Sequence, residues 1–175
     1  MKDSGMTLLE MLAALLVLTL LVTAMGTSLD LMARAETSTR FAAESDALAS
    51  VLQTTLADAL GFAESVRETE EGLRFTNRDY GIHNGQLCLA EGKLCVREAG
   101  FTPRVLTGSG VYDDLRLADL KIRFIPQGES GTVTRLDGTE VTGIPGGVFY
   151  ITFRVENGTG LFRDYETALR LVNPE

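Results

Sequence analysis

Apolar residues run nearly unbroken from Met6 to Met25, interrupted by one carboxylate, Glu10. From Met6 to about Leu60 there is no proline, and Gly26 is the only glycine. This pattern predicts one continuous helix, roughly 80 Å long at 1.5 Å rise per residue. Its first half is apolar all round, as lipid or a helical bundle requires, and about 20 such residues suffice to cross a bilayer. Past Gly26 the pattern becomes amphipathic. Phe41, Leu48, Leu52, Leu56 and Ala59 form one stripe, while Arg34, Arg40, Glu44, Asp46 and Asp58 belong mostly to other faces. Gly26 is the expected bend, because glycine weakens a helix interior by about 1 kcal/mol relative to alanine. Gly61 is the expected C-terminal cap.

After Gly61 the period shortens to two and turn residues become frequent. Ser65–Glu68 and Leu73–Asn77 are expected to pair around Glu70-Glu71-Gly72. Gln86–Ala90 and Lys93–Arg97 read as a hairpin around Glu91-Gly92, and Pro103–Thr107 as an edge strand. Gly108-Ser109-Gly110 reads as a flexible link. Leu120, Ile122 and Phe124 alternate with charged residues as in a half-buried strand. A weak hairpin joins Thr132–Leu136 to Glu140–Thr142. The strongest strand places Phe149, Ile151, Phe153 and Val155 on one face. Asn157-Gly158 signals a hairpin turn before a last strand over about Tyr165–Val172. One long helix followed only by strands is an α+β order. The expectation is a single, mainly antiparallel sheet with the helix stripe across one face.

Composition narrows the functional classes. The chain has 175 residues, enough for a membrane helix and one globular domain, and a formal net charge of −8. Residues 1–26 carry a net −1, so the remainder carries −7. That balance argues against a nucleic-acid partner, since phosphate backbones are bound by basic surfaces. No nucleophile elbow, Walker loop, dinucleotide fingerprint or paired-histidine motif occurs, so no catalytic residues, cofactor or metal are assigned. The single histidine, His83, reads as a loop residue. Asp113, Asp114 and Asp119 lack the spacing of a calcium loop and read as a solvated acidic stretch. Asn157-Gly158-Thr159 fits a glycosylation acceptor, but the turn accounts for the same residues.

Cys88 and Cys95 are a candidate disulfide. With Glu91 and Gly92 at the turn centre, they fall directly opposite one another on one face. A four-residue loop closed by Leu89 and Leu94 makes them a non-hydrogen-bonded pair, with Cα atoms about 4.5 Å apart. A two-residue loop makes them a hydrogen-bonded pair near about 5.5 Å, with side chains less well aimed. Free thiols on the buried face of a hairpin are the alternative.

Gly5, Met6, Thr7, Leu8, Leu9 and Glu10, followed by the apolar run, resemble the class III leader and N-terminal helix of type IV pilins and type II secretion pseudopilins. That pattern is a glycine, a cleavage, an apolar residue (usually Phe), Thr, two apolar residues and Glu. Met6 in place of Phe and a leader holding Asp3 beside Lys2 are departures from it. The resemblance implies cleavage between Gly5 and Met6 by a prepilin peptidase, and methylation of the new N-terminus. It implies assembly through Glu10 and the freed Met6 amine, on the same or a neighbouring subunit. The implied partners are the peptidase, other minor pilins or pseudopilins, and membrane lipid. The implied organisation is a leader over 1–5, a transmembrane and filament-core helix over 6–26, an amphipathic continuation over 27–61 and a β-rich domain over 62–175. Leu120–Phe124, Val148–Val155 and Thr167–Asn173 loosely resemble the minor pilin subgroup that includes pseudopilin J and the W-type minor pilins.

Two other readings use the same N-terminal residues. A Sec signal peptide would take Met11–Val22 as its core and Ala33-Arg34-Ala35 as its cleavage site, but its n-region would be nearly neutral rather than positive. A simple single-pass anchor would leave Glu10 as a cost within the span. The anchor corresponds to a second functional class, a membrane-tethered exported domain that binds a ligand without forming a filament.

Overall fold

A computed structural model describes residues 7–69, 72–112 and 114–172. One helix, α1, spans Leu8–Gly61. Among the described residues ten strands follow: β1 Ser65–Thr69, β2 Gly72–Asn77, β3 Ile82–Ala90, β4 Lys93–Arg97, β5 Arg104–Val105, β6 Leu115–Ile125, β7 Ser130–Thr134, β8 Glu140–Pro145, β9 Val148–Asn157 and β10 Phe162–Arg170. All strand pairs are antiparallel. The architecture is therefore α+β, a long N-terminal helix with antiparallel sheets. The chain divides into two compact units, Met1–Phe41 and Ala42–Glu175.

In the first unit, α1 runs through Gly26 as uninterrupted helix, and its apolar side chains from Leu8 to Met32 are exposed. Hydroxyls along this stretch are satisfied within the helix. Thr19 donates to the Leu15 carbonyl at 2.7 Å, Thr23 donates to the Thr19 carbonyl, and Thr27 donates to the Ala24 carbonyl at 2.9 Å. Such back-bonding is what a polar side chain needs where no water is present.

The second unit contains the core. Leu48, Leu52, Leu56 and Leu60 on the last part of α1 are all at most 2% exposed, with Ala59 fully buried. Each leucine contributes on the order of 2 kcal/mol by burial. Phe41, Leu48, Leu52, Leu56 and Ala59 are all buried, so the expected stripe is the buried one.

The strands form three sheets rather than the single sheet expected. These are β1-β2-β3-β4-β5, then β10-β9-β6, and the hairpin β7-β8. The first sheet stops at β5 because that edge strand is only two residues long and Pro103 just before it has no N–H to donate. The chain then turns away. Gly108-Ser109-Gly110, expected as a flexible link, leads into a 3₁₀ turn over Ser109–Val111 that delivers Tyr112 into the core. The Tyr112 hydroxyl accepts hydrogen bonds from the Leu94 amide and from Thr107 Oγ1, both at 2.8 Å.

β6 is longer than the expected strand around Leu120–Phe124. Leu117 pairs with Val155, Ile122 with Ile151 and Phe124 with Phe149, so odd and then even residues face the core. The change of parity occurs at an irregularity between Ala118 and Lys121, where Asp119 has φ 51°. An extra residue flips the pleat, which hides the first half of the strand from a simple alternation test. β6 also crosses the first sheet. The Leu117 amide donates to the Gly92 carbonyl at 2.7 Å, and the Phe124 amide to Glu68 Oε1 at 3.1 Å. β9 buries Phe149, Ile151, Phe153 and Val155 as expected. The β7-β8 hairpin is fastened by Glu166, which accepts from Arg135 Nε at 3.0 Å and from the Tyr150 hydroxyl at 2.7 Å. Arg135 first, and then Tyr150, holds the Glu166 carboxyl below its ordinary range. His83 is an exposed residue on strand β3, not in a loop. The Glu70-Glu71 turn, Asp113 and Asn173 lie outside the described residues.

The end of α1 is closed by both large sheets. A helix leaves its last four carbonyls without intrahelical partners. Asn77 on β2 donates Nδ2 to the carbonyls of Asp58 at 3.2 Å and Ala59 at 2.8 Å. The Ala63 amide reaches the Leu60 carbonyl at 3.1 Å, and the Val172 amide, just past β10, reaches the Gly61 carbonyl at 2.6 Å. Asn77 is 1% exposed, and its Oδ1 accepts from the Tyr80 amide at 3.1 Å. Replacing Asn77 with Ala should destabilise the domain by roughly 1–3 kcal/mol, the cost of buried groups left unsatisfied. Asn77→Asp should cost more, because it also sets a carboxylate against two carbonyls. Urea unfolding midpoints of the two variants test the order; an Asp variant as stable as wild type would refute it.

A second tie joins α1 to β10. Asp46 accepts from the Tyr165 hydroxyl at 2.9 Å and pairs with Arg163 at 3.0 Å. Burial, and then Asp46, pushes the Tyr165 phenol from 10.0 up to about 12. A raised pKa favours the neutral phenol in the fold, so this contribution is present below pH 10 and is lost as pH rises from 10 to about 12. Wild type should therefore lose urea resistance across that window more steeply than Tyr165→Phe. Equal slopes for the two proteins would remove this role for the phenol.

Candidate functional site

The residues singled out for processing and assembly sit at the start of α1. Gly5 and Met6 lie outside the described residues. Glu10 is the acidic residue of the first helical turn. Its Oε2 accepts from the Thr7 amide at 2.9 Å and from Thr7 Oγ1 at 3.0 Å, while the Glu10 amide donates to Thr7 Oγ1 at 3.3 Å. This is a capping box, in which an N-cap threonine and a glutamate three residues on satisfy each other's amides. The carboxylate also sits at the positive end of the helix macrodipole. Thr-x-x-Glu before an apolar run is the sequence signal for this arrangement, and it stands in the chain as Thr7-Leu8-Leu9-Glu10. Reading Glu10 only as a charge inside a span misses Thr7 as its partner. The carboxylate is an end group of the helix, where lipid penalises it least.

Behind this cap, α1 carries the one segment among the described residues that is long and apolar enough to cross a membrane. The segment is consistent with single-pass anchoring of the second unit.

The structure also settles the geometry of the cysteine hairpin. Cys88 pairs directly with Cys95, Leu89 with Leu94 and Ala90 with Lys93. Glu91 and Gly92 both have positive φ, 53° and 71°, which is the two-residue type I′ turn. Gly92 is required twice over, since a Cβ there would also lie 2.6 Å from Arg116 Cβ. The loop is thus the two-residue form, and by alternation from it Cys88 and Cys95 are a hydrogen-bonded pair. Both are free thiols here, Cys95 buried and Cys88 half-buried.

Among the described residues no group of three or more His, Cys, Asp or Glu is placed to hold a metal ion. Asn157 Oδ1 accepts from the Thr159 amide, Thr159 Oγ1 and the Leu161 amide at 2.8–3.1 Å, so Asn157 is the residue that closes the β9-β10 turn. No protein family, curated protein or solved structure matches the chain.

The capping box has a measurable consequence. Thr7→Ala should weaken the first turn of α1 by about 1 kcal/mol, the usual worth of an N-cap. In full-length protein held in detergent micelles, amides of the first turn should exchange several-fold faster, with the second unit unaffected. Unchanged exchange there would mean that the box does not hold the helix end.

Proposed function

We propose that this protein is a structural subunit of the pilin type, a minor pilin or pseudopilin, assembled after removal of residues 1–5. The observation that carries this reading is the Gly5-to-Glu10 motif at the head of a single unbroken helix. The glycine, the glutamate and the apolar run coincide at the spacing of a prepilin leader. The helix then ends in an α+β domain, with its C-terminal part buried beneath strands, as such a subunit requires. In this role the apolar stretch serves first as membrane anchor and then as packing surface in a helical bundle. Glu10 then pairs with the amine that cleavage exposes on Met6. A buried carboxylate needs such a partner. A type IV pilus, a competence apparatus and a type II secretion machine all use subunits of this design.

A second reading draws on the capping box. Glu10 already has hydrogen-bond partners within its own chain, so it has a purpose in a plain membrane tether carrying an exported binding domain. The mature N-terminus separates the two. Co-expressed with a prepilin peptidase, the protein should begin at Met6, N-methylated, by intact-mass and N-terminal peptide analysis. Gly5→Val should remain uncleaved yet still insert in the membrane. An uncleaved Met1 in the wild type, or a mature start beyond Ala35, would overturn the pilin reading.

A further inference from the structure

We infer that Cys88 and Cys95 form a thiol–disulfide exchange site in which Cys88 is the entry thiol and Cys95 the resolving thiol, closing a cystine that is readily reduced rather than a permanent staple. Three observations on the hairpin carry this. The two residues are direct cross-strand partners, so their Cα separation of about 5.5 Å falls within the range a disulfide spans, about 4.4–6.8 Å. The two-residue turn makes them a hydrogen-bonded pair, whose side chains are less well aimed at each other than those of the alternating pair. A bond closed there is reached from solvent on its Cys88 side, and exposed disulfides are the easily reduced ones. The two sulfurs also differ in access. Cys95 is 1% exposed, whereas Cys88 is half-buried and lines an open cavity of 390 Å³ with Gln86, Asp119 and Ile122.

The order of events follows. The Cys88 thiolate attacks one sulfur of an external disulfide and expels one thiolate, leaving a mixed disulfide on Cys88. Cys95 then attacks the Cys88 sulfur, gives up its proton and expels the second thiol. Two protein thiols are oxidised by two electrons to one cystine, and the external disulfide is reduced to two thiols. Burial, and then the neighbouring Cys88, pushes the Cys95 thiol above its ordinary range. This keeps Cys95 protonated and unreactive until the mixed disulfide stands beside it.

The site does not depend on the filament assignment and is tested on purified full-length protein in detergent. Brief alkylation of the reduced wild type followed by peptide mapping should place label on Cys88 about tenfold faster than on Cys95. With oxidised glutathione the wild type should lose both thiols without retaining an adduct. Cys95→Ala should accumulate a glutathione adduct on Cys88, and Cys88→Ala should remain unmodified until denatured. The cystine should be reopened by reduced glutathione in the folded protein. Equal labelling of the two cysteines, thiols that persist under oxidised glutathione, or a cystine that yields only after unfolding would each overturn the proposal. The wild-type mapping and the reduction test stand even if a variant fails to fold.

Discussion

The last turn of α1 is the constraint on which the second unit depends. Four carbonyls there have no partner within the helix, and they are met from separate parts of the chain: Asn77 of β2, Ala63 of the connecting turn and Val172 beyond β10. A buried carbonyl without a donor is costly. The helix therefore cannot slide or rotate without breaking bonds to both sheets at once. Asp46 adds a second tie to β10 through Tyr165 and Arg163. The leucine stripe supplies most of the attraction, but it is non-directional. It is the hydrogen bonds at the helix end that select one register of helix against sheets.

β6 plays the corresponding part among the strands. It pairs with β9 along its length and also reaches the first sheet at Gly92 and Glu68. The bulge at Asp119 keeps Leu117 before it and Ile122 and Phe124 after it opposite the buried residues of β9. Tyr112 fixes the approach to this strand by accepting from the Leu94 amide inside the first sheet. Two sheets thus share one core through a crossing strand and a buried phenol.

These features explain what was legible from residues alone. The helix stripe was legible because leucines recur at the helical period without contradiction, and the Cys88–Cys95 pairing because Glu91-Gly92 is a turn signal between two alternating runs. The first half of β6 was not, since its alternation changes phase within the strand. The division into three sheets was not, because it is set by the short β5 edge and by long-range amide bonds that leave no local pattern. Asn77 and Tyr112 look like ordinary surface or turn residues until the groups they satisfy are in place. The Thr7–Glu10 box is written in the chain as Thr-x-x-Glu, but the membrane cost of a carboxylate masks its nearest hydrogen-bond donors.

That box changes the physics of the N-terminal segment. An isolated carboxylate in lipid must find a partner in another molecule or lose its charge. A carboxylate that caps its own helix is held in place without either. Ionised carboxylates offer about four lone-pair directions, and Thr7 engages only Oε2. The cap therefore does not exhaust Glu10. It holds the side chain near the helix end, with its rotamer already restricted, so an amine arriving beside it meets an ordered acceptor and less conformational entropy is lost on pairing. On this view the threonine and the glutamate act as one unit. In the proposed pilin role, the intrachain bonds would serve the lone subunit, and the same geometry would lower the cost of exchanging or adding a charged partner when helices come together.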